Sequence, residues 1–362
     1  MSELKVDKVS PRTGNYVALN TVGSKNIVIN GDMSIAQRAT STASITGNGY
    51  HTIDRMFLGL TGAGTWTQSQ DTTVPTGQGF AKSLKMDCTT ANGSLSAGDN
   101  CILQQRIEGQ NLQYLKKGTA SAESLTVSFW VYATKTGTNI CELYDTDNTR
   151  QISQAYTISS SNTWEKKTLT FAGDTTGAFN NDNGGSLTLL FWLAAGSNFT
   201  SGTLNTSWNS VTTANRAVGQ VNHADSTSNN FYITGIQMEA GTTASDFEFL
   251  PVDVNLQRCY RYFYKNDDSG GAGFIYVAHP MFNIQLPVTM RVAPSCTDSG
   301  GSAITATNAT GQVTYTGPTS TSFSTKPNVV RLLYAGGTWS AAYTYGLGCI
   351  GYPTGLLISA EL

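Results

Sequence analysis

Apolar residues in this chain recur in short runs of strand length, separated by clusters of Gly, Asn, Asp, Ser and Thr. Two runs are the clearest. In LTVSFWVYA, strict alternation puts Leu125, Val127, Phe129 and Val131 on one face and Thr126, Ser128, Trp130 and Tyr132 on the other. In LTLLFWLAA, Leu187, Leu189, Phe191 and Leu193 stand opposite Thr188, Leu190, Trp192 and Ala194. FAKSLKMDC (with Leu84 and Met86), NCILQQRIEG, WEKKTLTFAG and FYITGIQMEAG read as further strands. No segment longer than two turns carries a 3.6-residue apolar period. From about Asn26 to Val252 this pattern predicts a β-sandwich. The polar stretch Gly196 to Asn230 interrupts it as an insertion or wide loop, for which Trp208 is the expected anchor.

Smaller units are expected on either side. LKVDKVSPRTGNYVALN, within residues 1–25, alternates across a Pro-Arg-Thr-Gly turn and reads as a hairpin too short to be stable alone. It needs a partner surface, which makes it a candidate for attachment or oligomerisation. Beyond residue 253, NLQRCYRYFYK is open to two readings, a strand or a short helix with Leu256, Cys259, Tyr260 and Phe263 on one face. GFIYVAHPMFNIQLPVTMRVAPSCTDS, GQVTYTG, NVVRLLYAGG and GLLISAEL then return to strands with Gly- and Pro-rich turns. The expected organisation is all-β: a hairpin at 1–25, a sandwich at 26–252 and a smaller β domain at 253–362. No fixed-period repeat points to a propeller or solenoid.

Composition supports this picture. Charged residues make up only 13% of the 362 and aromatics 10%, including 16 Tyr and 6 Trp, which suits short strands and tight turns better than helices. A formal charge of −2 gives no electrostatic reason to expect nucleic acid. MSELKVDKVS has no apolar signal core and no run approaches a membrane span, so synthesis in a cytoplasm without membrane insertion is expected. The six cysteines form no CxxC or Cys-His spacing and are expected to be buried free thiols.

NIVINGDMSIAQRATS followed by GYHTIDRM resembles the opening of a group of phage tail-fibre and virion structural proteins of marine-phage and cyanophage type. SLTVSFWVYA and TWEKKTLTFAG look like strands of that group's carbohydrate-binding-module-like jelly roll. ITGIQMEAGTTASDFEFLPVDVNLQRCYRYFYK is similar to its junction with a C-terminal domain, and LPVTMRVAPSCT and SAEL to that domain's own signatures. LKVDKVSPRTG looks like a short N-terminal element of cyanophage proteins. The resemblance implies a jelly-roll sandwich on the exterior or tail of a virion, binding host-surface glycan as a tail fibre or fibre-like appendage. A homotrimer is expected by analogy with fibres, joined to other virion proteins through the N-terminal segment. The alternative is a capsid decoration or cement protein with a purely interfacial role.

No enzyme is expected. Only His51, His223 and His279 are present, with no HExxH, GxSxG or P-loop. His51 sits near Asp54-Arg55, which reads as a surface ion pair. Asp87, Glu108, Glu142 and Glu239 are the carboxylates that a polysaccharide hydrolase would need in pairs, and Glu239 reads as a structural acceptor. Glycan binding asks for aromatic faces with amide partners. Trp130 and Tyr132 share a strand face, and Trp192 joins them if the two strands lie in one sheet; otherwise a second layer or a loop covers the tryptophans. Gln104, Gln105 and Arg106 could supply polar partners, Gln105 foremost. No cofactor is expected beyond a structural calcium ion, for which Asp145-Thr146-Asp147-Asn148 and Asn180-Asn181-Asp182-Asn183 offer oxygen ligands. Such turns are equally ordinary in β proteins.

Overall fold

The structure, a computed structural model, describes residues 25–266, 271–276, 279–298, 303–308, 311–316, 324–333, 347–351 and 356–362. The hairpin expected at 1–25 lies, but for its last residue, outside them.

Thirteen strands build the large body: β1 (Ser41–Ile45), β2 (Gly49–Tyr50), β3 (Phe57–Thr61), β4 (Thr65–Asp71), β5 (Ser83–Thr90), β6 (Asn100–Glu108), β7 (Leu125–Ala133), β8 (Gly137–Asp145), β9 (Arg150–Ile158), β10 (Glu165–Phe171), β11 (Gly185–Ala195), β12 (Asn209–Ser210) and β13 (Asn230–Ala240). They form a six-stranded sheet in the order β1-β4-β5-β13-β7-β10 and a seven-stranded sheet in the order β12-β9-β8-β11-β6-β3-β2. Successive strands cross repeatedly from one sheet to the other and pair antiparallel, which makes this a jelly-roll sandwich. The period-2 faces read from sequence become its core. Val127, Phe129 and Val131 of β7 face Leu187, Leu189, Phe191 and Leu193 of β11, all 1% exposed or less. Phe129 meets Phe191 and Tyr156 edge-on at 4.9 and 5.0 Å. Burying each such side chain contributes about 1.5–3 kcal/mol. The hairpin β8–β9, turned at Asp145–Arg150, and strands β3 and β4 add to the strands expected.

Chain entry and exit lie side by side on the sandwich. Asn26 donates through Nδ2 to Ile236 O, and its Oδ1 accepts from the amides of Val28 and Met238. After β13 comes helix α1 (Val252–Tyr260), which starts directly after Pro251, then β14 (Phe263–Asn266). The ambiguous tyrosine-rich segment is therefore helix first and strand second, with Cys259 buried under the helix and Phe263 in the strand. Among the described residues the remainder is antiparallel: β15 (Gly271–Tyr276), β16 (His279–Gln285), β17 (Ser295–Asp298), β18 (Ala303–Asn308), β19 (Gly311–Thr316), β20 (Ser324–Lys326), β21 (Val329–Leu333), β22 (Leu347–Gly351) and β23 (Leu356–Ser359). The orders are β14-β23-β17, β20-β21-β16-β15-β22 and the pair β18-β19.

Asp54 and Arg55 do not form the expected surface ion pair. Both are 1% exposed. Arg55 pairs with Glu361 and lies 3.5 Å from the centre of the Tyr262 ring, whereas Asp54 is approached by Arg38 and takes hydrogen bonds from Gln37. Glu108 accepts from Arg261 Nε and Nη2, each at 2.7 Å, and from the Tyr262 hydroxyl. These charges tie the end of the chain to the sandwich. Burial raises Asp54 to about 6 despite the Arg38 charge. Cys88, Cys101, Cys141 and Cys259 are free and buried, Cys296 is buried, and the Cys349 side chain lies outside the described residues.

Candidate functional site

The two outer faces of the sandwich differ. On the six-stranded sheet, β7 turns Trp130 and Tyr132 outward, each partly exposed. Register sets their neighbours. Tyr132 stands opposite Tyr232 of β13, and Tyr232 opposite Lys85 of β5. Trp130 stands opposite Lys166 of β10, which brings Trp164, two residues earlier, beside Tyr132. Ring centres confirm the cluster: Tyr132 to Tyr232 5.0 Å, Tyr132 to Trp164 5.6 Å and Trp164 to Tyr232 6.4 Å. Lys85 Nζ lies 5.6 Å from the Tyr232 ring centre. The result is a strip of four aromatic rings flanked by two lysines.

A wall closes one end of the strip. Phe80, Phe247 and Phe249 pack mutually at 4.9–5.1 Å. Between this wall and Trp130 runs a groove enclosing about 580 Å³ of space open to solvent, with Ser128 and Gly235 on its floor and Gln78, Lys166 and Asp246 among its polar lining. Gly235 makes the close approach feasible. It sits at a bulge in β13 with φ +62°, and a Cβ there would come within 2.5 Å of the Phe80 ring. The wall is pinned to the sheet. Gln237 Nε2 donates to Ser245 Oγ and Asp246 O, Gln237 Oε1 accepts from Glu248 N, and Glu239 accepts from Ser245 N and Oγ. Glu239 thus serves as the structural acceptor read from the sequence.

Around Trp192 the outer face of the seven-stranded sheet is covered, while toward β6 it opens into a pocket lined by Gln104, Arg106, Tyr144 and Arg216. Trp192 of β11 is fully buried, packed with Ile102, Ile140, Leu190 and Ala217 and with Phe199 and Leu204 of the 196–229 loop. Its Nε1 donates to Glu142 Oε2 at 2.9 Å, and Arg216 of the same loop holds Glu142 with Nε at 2.8 Å. Burial raises the Glu142 carboxyl above its ordinary range against the pull of Arg216. The platform conditional on Trp130 and Trp192 sharing a sheet therefore does not form, because β7 and β11 belong to opposite sheets. Covering by a loop holds for Trp192 and not for Trp130. Gln105 is likewise internal: 2% exposed, it accepts from Ile29 N and donates to Ile29 O, which pins the incoming strap to β6. Trp208 anchors the covering loop through Nε1 to Ala172 O at 2.7 Å.

Most of the remaining candidates have internal partners. Glu108, Glu142 and Glu239 are engaged as described, and Asp87 lies on the open face beyond Lys85. His51, beside β2, is held below the ordinary imidazole range by partial burial. His223 is buried with Nε2 2.7 Å from Asn139 Oδ1, and burial drives it down to about 3. In the turns considered for calcium, Asp145 pairs with Lys117 and accepts from Asn148, while Asp147 accepts from Asn180 N and Nδ2, so the two turns cap one another. Among the described residues no three His, Cys, Asp or Glu side chains cluster as a metal site, and no helix is long and apolar enough to cross a membrane. Trp164 and Tyr232, which the sequence reading did not single out, lie at outward positions of strands it did identify.

No family model matches the sequence, and no curated protein does. Among solved structures, the enzymatically active domain of tailspike protein 4 from bacteriophage CBA120 is similar at 15% identity and a TM-score of 0.32, over 60% of this chain and 21% of that one. The chain thus spans about a fifth of that tailspike structure. A putative sugar-binding protein from Bacteroides thetaiotaomicron is similar at 13% identity and a TM-score of 0.32, over 59% of this chain and 99% of that one. A carbohydrate-binding module of family 4 gives 13% identity and a TM-score of 0.30, over 60% and 99%. Strand order and register, rather than this likeness, carry the assignment of the fold.

Proposed function

We propose that this protein is a non-enzymatic glycan-binding component of a phage virion, a tail fibre or fibre-like appendage, and that it contacts host-surface polysaccharide through the open face of the six-stranded sheet. The observation that carries the reading is the aromatic strip Trp130, Tyr132, Trp164 and Tyr232, open on one side and bounded by a pinned wall. Pyranose rings present C–H-rich faces that stack on such rings, and Lys85, Lys166, Gln78 and Asp246 lie on or beside the same face as hydrogen-bonding groups. The virion assignment comes from the sequence resemblance, as do a trimeric assembly and attachment through residues 1–25.

The test is isothermal titration of the whole chain with purified bacterial envelope polysaccharides, repeated with Trp130→Ala and Tyr132→Ala. Binding that falls at least tenfold in each variant at an unchanged melting temperature supports the reading; stacked aromatics contribute about 0.5–1.5 kcal/mol each beyond their buried area. Binding indifferent to both substitutions sinks it. The capsid-decoration reading keeps one observation in its favour: Phe249, Val252 and Val254, close in sequence, are 49%, 65% and 41% exposed, apolar surface that a protein neighbour could cover. Density for this chain on the capsid lattice in micrographs of whole particles would decide for it.

A further inference from the structure

The groove beside Trp130 has a lopsided chemistry. One side is a stacking ring with Lys166 next to it; the other is the phenyl wall of Phe80, Phe247 and Phe249. That wall has no hydrogen-bonding group, and Phe249 leaves 49% of its surface in solvent. It is also fixed in place, since Gln237 and Glu239 anchor residues 245–248 by five hydrogen bonds. A sixth, from Gln237 Nε2 to Glu239 Oε1, joins the two anchors to each other. A saccharide stacked on Trp130 would therefore push one edge against rigid phenyl rings, with Gln78 and Asp246 only at their margins. A bare hydroxyl directed at those rings would lose its water and gain no partner, which weakens binding roughly tenfold. A methyl group would instead bury apolar area, worth about fourfold per carbon.

We infer that the groove selects saccharides carrying methyl-terminated substituents, such as acetamido, O-acetyl or 6-deoxy groups, with the methyl seated against Phe247 and Phe249 while the ring stacks on Trp130. This rests on the reading of the open face as a glycan site. Gln78, Asp246 and Lys166 at the margins supply donors and acceptors for the polar half of an acetyl or acetamido group.

The experiment compares matched ligands that differ only in that substituent, using the whole chain. Chitohexaose is set against cellohexaose, acetylated xylan against the same xylan after mild alkaline de-O-acetylation, and methyl fucoside against methyl galactoside. Affinities come from titration calorimetry, and from ligand-observed nuclear magnetic resonance for the monosaccharides. The expected result is a preference of about tenfold for the methylated member of at least one pair, lost in Phe249→Ser, where the ratio approaches one whatever the absolute affinity. Because Phe249 is half exposed, this variant is expected to melt with the parent. Equal affinities within every pair, abolished by Trp130→Ala, would overturn the selectivity and leave the glycan site standing. No binding by any pair would count against both.

Discussion

Trp130 and Trp192 occupy near-identical sequence settings, Phe-Trp-Val and Phe-Trp-Leu, at outward positions of long central strands. One ends in an open strip and the other under a loop. The difference lies in what flanks each along its own face. Beside Trp130 stand Ser128 and Tyr132; beside Trp192 stand Leu190 and Ala194, apolar residues that an open face does not need. The 196–229 loop supplies Phe199, Leu204 and Ala217 to meet them, and Arg216 to neutralise Glu142. A strand apolar on both sides thus signals a covered face. The indole on one face is committed to packing and charge, and the indole on the other stays partly exposed.

The sharpest way to break this comparison is to truncate both tryptophans. Trp192→Ala removes a fully buried indole and one of the donors to Glu142, so a loss of about 3–5 kcal/mol is expected. Trp130→Ala should stay within about 1 kcal/mol, because the ring is only partly covered. Urea unfolding of the two variants measures both, and equal losses would show that the six-stranded face is covered as well.

Much of this was legible in the chain, and the misses have physical causes. Period-2 alternation gives the inward face of a strand directly, so the core rows of β7 and β11 could be read at once. Alternation says nothing about which strands pair, since register between β7 and β13 joins residues about a hundred positions apart. For that reason the pairing of Tyr132 with Tyr232 and Trp164 is not legible from the sequence, whereas a shared sheet for Trp130 and Trp192 remains open there. Gln105 looked like an exposed strand amide because its partner, the Ile29 backbone, is remote in sequence. The phenyl wall is written in FEFLP, after the last sandwich strand, where no periodicity marks it. Hairpin β8–β9 escaped because Asn139, Glu142, Gln151 and Ser153 are polar yet buried, satisfied or covered by the loop rather than exposed.

A second expected effect, intermediate in size, uses pH to loosen the cover. His223 closes the far end of the covering loop, with its backbone N–H bonded to Leu193 O and its ring neutral down to about pH 3. Its folded value lies below the ordinary 6.5, so between those limits the unfolded chain takes up a proton that the folded chain refuses. Stability therefore falls on acidification by about 1.4 kcal/mol per pH unit from this group. Asp54 acts in the opposite sense: raised to about 6, it is protonated in the folded chain first and adds stability as pH falls from there toward 3.8. The wild-type profile sums these with other shifted groups, such as His51 and Glu142, and His223→Gln isolates one of them. The stability difference between His223→Gln and wild type should move steadily in the variant's favour as pH drops below 6.5, read from urea unfolding at half-unit steps. A difference independent of pH would remove His223 from the closure.

The smallest expected effect is the finest discriminator, because it changes one polar atom on each face and little volume. Trp192 Nε1 donates to a buried carboxylate, so Trp192→Phe leaves Glu142 without that donor, a cost of about 1.5–3 kcal/mol for a bond to a charged group. Trp164 Nε1 on the open face is buried against its aromatic neighbours and has no partner among the described residues. Trp164→Phe therefore removes an unsatisfied donor and keeps a ring beside Tyr132 and Tyr232, so stability should change by less than about 0.5 kcal/mol or rise slightly. A large loss in Trp164→Phe would mean that the indole N–H is bonded in solution, and the strip would then be a structural cluster rather than a surface kept free for a ligand. A change near zero, together with a large one for Trp192→Phe, would place the two faces of the sandwich at opposite ends of the same scale, one where polar atoms are committed to the fold and one where they are not.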